Sequence, residues 1–129
     1  MKVTVYRLGI ALLAIAILAG CGGSSAPAQP AGSIKVTMTE FKFDPGTNTP
    51  ISVKAGTVVF FVVNAGNNTS HDMVIRDSTG KRIDGSSLLS AGDSAVFTIN
   101  NLPAGTYTIF CDQQGHEASG MKGTLTVTP

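Results

Sequence analysis

An all-β, antiparallel Greek-key sandwich of about seven or eight short strands is the fold class this sequence predicts. Three observations carry that expectation. Past residue 32 the apolar content is mostly Val, Ile, Phe and Ala, with Thr very frequent and Trp absent, a mixture that suits strands. No stretch of ten or more residues there carries the apolar stripe of an amphipathic helix. Turn signals built from Gly, Pro, Asn and Asp recur about every 8–12 residues.

The elements follow in order. Ile34, Val36 and Met38 alternate with Lys35, Thr37 and Thr39, the period-2 mark of a half-buried strand. Phe41 and Phe43 continue the alternation until Asp44, Pro45 and Gly46 turn the chain. A short strand over 51–53 ends at Ala55 and Gly56. Residues 57–63 (TVVFFVV) are almost continuously apolar, as expected of a central strand covered on both faces. Residues 64–68 form a loop, and 71–76 (HDMVIR) start another strand with His71 at its head. Turns are expected at 77–80 and at Asp84 and Gly85. Strands then follow at 94–99, 106–111 and 123–127, with a turn over 101–105. No internal repeat is visible, and strand order is not legible from these patterns.

Two segments precede the domain. Lys2 and Arg7 form a positive start, and residues 8–18 are apolar except for Gly9. That run is shorter than the ~20 residues needed to span a bilayer and has the layout of a signal peptide. It ends in Leu18, Ala19, Gly20 and Cys21, which resembles the lipobox of bacterial lipoproteins. By that resemblance residues 1–20 are removed and Cys21 carries the lipid; an ordinary cleaved signal, with Cys21 free or lost, is the other reading. Residues 22–32 are rich in Gly, Ser, Ala and Pro and form a linker with a coil reach of about 18 Å. The organisation expected is thus a signal over 1–20, a lipidated Cys21 with linker over 21–32, and one domain over 33–129.

Composition narrows the function classes. Without Lys2 and Arg7, seven basic residues face eight acidic ones and no basic stripe exists, so nucleic acid is not expected as a partner. The chain holds only two His and two Cys. With Cys21 lipidated, Cys111 has no disulfide partner, which is unusual in an exported protein. Metal ligation explains it; a small buried thiol is the plain alternative. Cys111 ends one strand, Met121 leads into the next, and His116 lies midway between them. His71 heads another strand, and sandwich loops cluster at the poles where such donors can meet. Two imidazoles, one thiolate and one thioether are the donor set of a blue-copper electron-transfer centre. Thiolate and thioether favour Cu(I) and imidazole suits both oxidation states. Each residue also has a plain role available: His71 as a surface histidine, Met121 as core alongside Met38 and Met73.

The segment from Tyr107 through Cys111, Gly115 and His116 to Gly120, Met121 and Val127 resembles the cupredoxins, the small blue copper proteins. Phe43, Pro45, Val53, Gly56 and Asn64 match more loosely upstream. The Cys-x4-His-x4-Met spacing is similar to that of auracyanin- and rusticyanin-like members more than plastocyanin-like ones. The resemblance implies a single copper ion with His71, Cys111 and His116 as equatorial ligands and Met121 as the axial one. His116 is also the expected electron port, because its neighbours Gly115, Ala118, Ser119 and Gly120 are small and should leave its ring edge exposed at an apolar pole. Many members place Asn after the first His as a brace for the ligand loop. Here Asp72 stands there, either bracing the loop or solvated, with Ser70 and Thr69 as substitutes.

The function expected is a membrane-tethered one-electron carrier without substrate turnover. Its partners would be redox proteins such as membrane-bound cytochromes or oxidases, and it would act as a monomer held by its lipid on the extracytoplasmic side, at a periplasm or cell surface. Copper storage or delivery, with Met38 and Met73 passing Cu(I), is one alternative; a metal-free interaction module is the other. A second copper site of the kind an oxidase or reductase needs lacks the extra Cys and His.

Overall fold

The computed structural model describes residues 26–129. The expected signal peptide, the lipidation site Cys21 and the start of the linker lie outside the described residues. Among the described residues there are nine strands and no helix.

They are β1 (Ile34–Thr39), β2 (Lys42–Asp44), β3 (Ile51–Lys54), β4 (Gly56–Asn64), β5 (Val74–Arg76), β6 (Arg82–Gly85), β7 (Ser94–Leu102), β8 (Gly105–Phe110) and β9 (Lys122–Thr128). One sheet has the order β2-β1-β4-β7 and the other β3-β9-β8-β5-β6. The apolar run over 57–63 is β4, an interior strand flanked by β1 and β7 as its composition requires.

The sandwich is the expected architecture, but its pairing is mixed rather than wholly antiparallel. β1 lies parallel to β4, with Val36 opposite Val62, and β3 lies parallel to β9, with Val53 opposite Val127. Direction is set by which strand ends the connections join, and alternation within a strand carries no record of it. β6 was expected only as a turn at Asp84 and Gly85; an edge strand this short and exposed leaves little apolar signal.

Alternate residues from both sheets fill the core, with Met73 and Met121 entering from just before β5 and β9: Val36, Met38, Phe43, Phe60, Val62, Met73, Ile75, Ile109, Met121 and Leu125 are all wholly or nearly wholly buried. Phe60 on β4 faces Phe97 on β7, the rings stacked at 5.1 Å, a cross-strand aromatic pair of the kind that fixes register. Below β8, the Tyr107 hydroxyl donates to the Pro103 carbonyl at 2.8 Å and pins the turn into that strand. Gly123 is required by packing: a Cβ there would lie 2.3 Å from the Gly46 carbonyl oxygen. These contacts tie β9, and with it the C-terminal end of the ligand loop, to the turn after β2.

Candidate metal centre

The site lies at the pole where β4, β8 and β9 begin or end. Cys111 directly follows β8 and Met121 directly precedes β9. Those two strands pair up to Phe110 opposite Lys122, so the loop between them is closed at its base. Inside it the backbone folds on itself: Cys111 N–H donates to Met121 O at 3.1 Å, Met121 N–H to His116 O at 3.0 Å, and His116 N–H to Gln113 O at 3.0 Å. Gly115 takes a left-handed φ of 82°, a conformation that favours glycine and that turns the chain into His116.

His71 arrives from the other sheet's connection. It exchanges both backbone hydrogen bonds with Leu89, at 3.0 and 2.9 Å. Asn64, buried at the end of β4, donates through Nδ2 to the carbonyls of Leu89 (2.9 Å) and Thr69 (2.8 Å), and accepts Gly66 N–H at 3.0 Å. One buried amide therefore fixes both the approach to His71 and the segment paired with it.

The two parts meet. His71 Nδ1 and His116 Nδ1 are 3.2 Å apart, Cys111 Sγ is 3.3 Å from His116 Nδ1, and 3.9 Å from His71 Nδ1. The point equidistant from these three atoms lies about 2.0 Å from each, close to the ~2.0–2.3 Å of metal bonds to imidazole nitrogen and thiolate sulfur. The structure thus brings together three of the expected donors. Met121, the fourth, is wholly buried beside them in sequence and packs in the core cluster with Cys111.

The electrostatics suit a metal. Burial pushes the Cys111 thiol up to about 11, although the backbone N–H groups of Asp72 and Gln113 pull the other way. Burial holds His71 below the usual imidazole range, with the neighbouring His116 adding to the effect. A neutral imidazole and a thiol awaiting a cation are what a metal ligates; a bound divalent ion deprotonates the thiol.

Around the donors, Asp72 is buried and its Oδ1 accepts Asp112 N–H at 2.7 Å. The carboxylate therefore ties the His71 segment to the residue after Cys111. Among the described residues Ser70 makes no side-chain hydrogen bond, and Thr69 contributes its carbonyl to Asn64. Arg76 on β5 grips the loop from outside: its guanidinium lies 4.3 Å above the Phe110 ring and forms a two-pronged ion pair with Glu117. That pair holds the Glu117 carboxyl below the usual carboxylate range. His116 is half-buried, and Phe41, 37% exposed, packs edge-to-face with it, the ring centroids 5.0 Å apart.

Sequence reasoning missed Asn64, Arg76, Glu117 and Phe41 as parts of this site. Asn64 alone left a signal, as a polar residue closing an apolar strand.

A β-sandwich that presents two imidazoles and one thiolate at one pole defines a protein with a mononuclear, mixed nitrogen–sulfur metal centre. A family model for the cupredoxin-like domain matches residues 10–127, and the chain belongs to that family. The group this fold implies is copper, and the donor set fits it: two imidazoles and one thiolate in a trigonal arrangement suit copper, and Met121 lies in the same core cluster as Cys111. Auracyanin-B of Chloroflexus aurantiacus is 38% identical over 81 residues, 61% of this chain and 34% of that protein, so the match spans about a third of that relative's length. The structure of auracyanin B superposes with a TM-score of 0.66 at 28% identity, covering 84% of this chain and 97% of that one. The dithionite-reduced auracyanin of Roseiflexus castenholzii gives 0.65 at 23% identity, covering 75% and 97%, a likeness of fold.

Proposed function

We propose that the protein is a type 1 (blue) copper protein that carries one electron between redox proteins, tethered through Cys21 to the extracytoplasmic side of a membrane. The observation that carries this reading is the triangle of His71 Nδ1, Cys111 Sγ and His116 Nδ1, assembled with edges of 3.2 to 3.9 Å. His71, Cys111 and His116 serve as the equatorial ligands and Met121 as the axial one. Copper bound there supplies a Cu(II)/Cu(I) couple.

The chain's own contribution is to keep the donors still. The Cys111–Met121 backbone bond, the Asp72 brace and the Arg76–Glu117 clamp restrain the loop between oxidation states, and a centre that does not rearrange exchanges electrons readily. His116, with Phe41 against it, offers the route to the surface. Four protein donors leave no position for a substrate, which supports a carrier rather than an enzyme. Met38 and Met73 are wholly buried in the core, so neither offers Cu(I) a surface stepping stone. That supports a carrier over storage or delivery.

Residues 1–20 act as the signal and 21–32 as the anchor and tether of the domain over 33–129, which works as a monomer with membrane-bound cytochromes or oxidases. Among the described residues no helix is long and apolar enough to cross a membrane. Mass spectrometry of the mature N-terminus tests the anchor: a diacylglyceryl adduct on Cys21 is expected, and a chain starting elsewhere without lipid contradicts it. The carrier role is tested by mixing the reduced protein with the host's membrane fraction and following copper reoxidation, which should be fast and should slow when Phe41 is replaced by Glu.

A further inference from the structure

We propose that Glu40 is a positioning residue for the metal centre, its carboxylate holding the distal nitrogen of His71 and lowering the reduction potential of copper on the other side of that ring. The inference rests on the copper reading above and adds a residue that lies outside the donor set.

His71 is wholly buried and turns Nδ1 toward Cys111 and His116. Its other nitrogen, Nε2, is buried and has no hydrogen-bond partner among the described residues. The carboxylate oxygen Glu40 Oε1 lies 4.0 Å from it. A ring ligated through Nδ1 must carry its proton on Nε2, and leaving that N–H buried without an acceptor is costly. Ligating histidines commonly give their second N–H to a carboxylate or a carbonyl. The gap is about 1 Å beyond a hydrogen bond, a distance that a small side-chain rotation of the partly exposed Glu40 would close.

The carboxylate is seated for this role. Its Oε1 accepts the backbone N–H of Asn67 at 2.9 Å. It passes so close over Gly66 that a Cβ there would lie 2.5 Å from Oε1 and 3.1 Å from the carboxyl carbon. Gly66 is itself held by Asn64 Oδ1, the same amide that fixes the segment leading to His71. The seat and the ligand therefore belong to one hydrogen-bonded unit. A solvated glutamate capping the loop needs neither the cleared space over Gly66 nor the approach to a buried imidazole. The Glu40 side chain is 31% exposed, so its charge is only partly screened from the site.

The test uses the full chain, copper-loaded for voltammetry and zinc-loaded for NMR of the imidazole protons. In Glu40→Gln, which keeps an acceptor and removes the charge, the Cu(I)-to-Cu(II) affinity ratio should rise about tenfold, a shift of about +59 mV for one electron. Its His71 Nε2–H should stay slow to exchange. Glu40→Ala should raise the potential and also speed that exchange severalfold. Gly66→Ala, which crowds the carboxylate from its seat with Glu40 intact and also presses on Asn64 Oδ1, should speed the exchange at least as much as Glu40→Ala. An unchanged potential in Glu40→Gln overturns the proposal, as does a His71 Nε2–H that exchanges equally fast in wild type and Glu40→Ala. A wild type that binds copper without its blue spectrum overturns the carrier reading instead; the exchange rates in the zinc form still decide whether Glu40 holds His71.

Discussion

The ligand loop and the His71 segment reach the same point by opposite routes. The loop from Cys111 to Met121 is continuous in sequence, closed by its own backbone hydrogen bonds and anchored on two paired strands. His71 has no such local frame. It is placed by Leu89, eighteen positions on, and by Asn64, which touches both sides of that pairing. One half of the site is therefore a local structure, and the other is a product of the whole sandwich. The loop's half should fail through chemistry when altered, and the His71 half through stability.

The largest expected effect breaks the loop's chemistry. Cys111→Ser should abolish the intense thiolate-to-copper absorption while the apo-protein still folds cooperatively on thermal unfolding, because the buried hydroxyl has the ring nitrogen of His116, 3.3 Å from the thiol sulfur, to meet it. Asn64→Ala attacks the other half. It leaves the Thr69 carbonyl and the Gly66 N–H without their partner and takes one of two donors from the buried Leu89 carbonyl, which should cost about 2–4 kcal/mol in urea unfolding. The blue band should survive in whatever fraction stays folded; normal stability would show that the His71 segment does not depend on that amide. Met121→Leu is milder. It removes a weak thioether donor at nearly constant volume; the lower coordination number costs Cu(II) more than the lost soft contact costs Cu(I), so the potential should rise on voltammetry.

A pH experiment separates the loop from the fold again. Burial places the Cys111 thiol at about 11 in the apo-protein, against an ordinary 9.0. A raised value means the folded state prefers the protonated thiol. That contribution to apo stability is complete below about pH 9 and is lost as pH rises through about 11. Copper binding at neutral pH should release one proton from Cys111, measurable by calorimetry in buffers of different ionisation enthalpy. Arg76→Ala should have the smallest effect on stability, at most about 1 kcal/mol, since its ion pair is partly solvated. It should still speed copper loss to a chelator, because the clamp acts on the loop alone.

The same contrast explains what the sequence made legible. Cys111, His116 and Met121 were readable because the donors are few and evenly spaced in a single loop. The strands were readable where one face is buried, as in β1 and β4, and not where a short exposed strand such as β6 buries almost nothing. His71 could be nominated only because the chain holds two histidines. The residues that support it, Asn64, Leu89 and Glu40, act across distances along the chain that no local pattern encodes. The Arg76–Glu117 clamp spans 41 positions and looks in sequence like two ordinary surface charges. Asp72 was visible as an unusual neighbour of His71, but its inward turn onto Asp112 depends on how two loops meet.

The central claim, that His71, Cys111 and His116 form one trigonal copper centre, is tested most directly by paramagnetic resonance and optical spectra of the oxidised, copper-loaded protein. An intense visible absorption together with an unusually small copper hyperfine splitting is expected, the signature of a covalent copper–thiolate bond. A colourless protein at full copper occupancy, with the wide splitting of a tetragonal nitrogen and oxygen site, would contradict it.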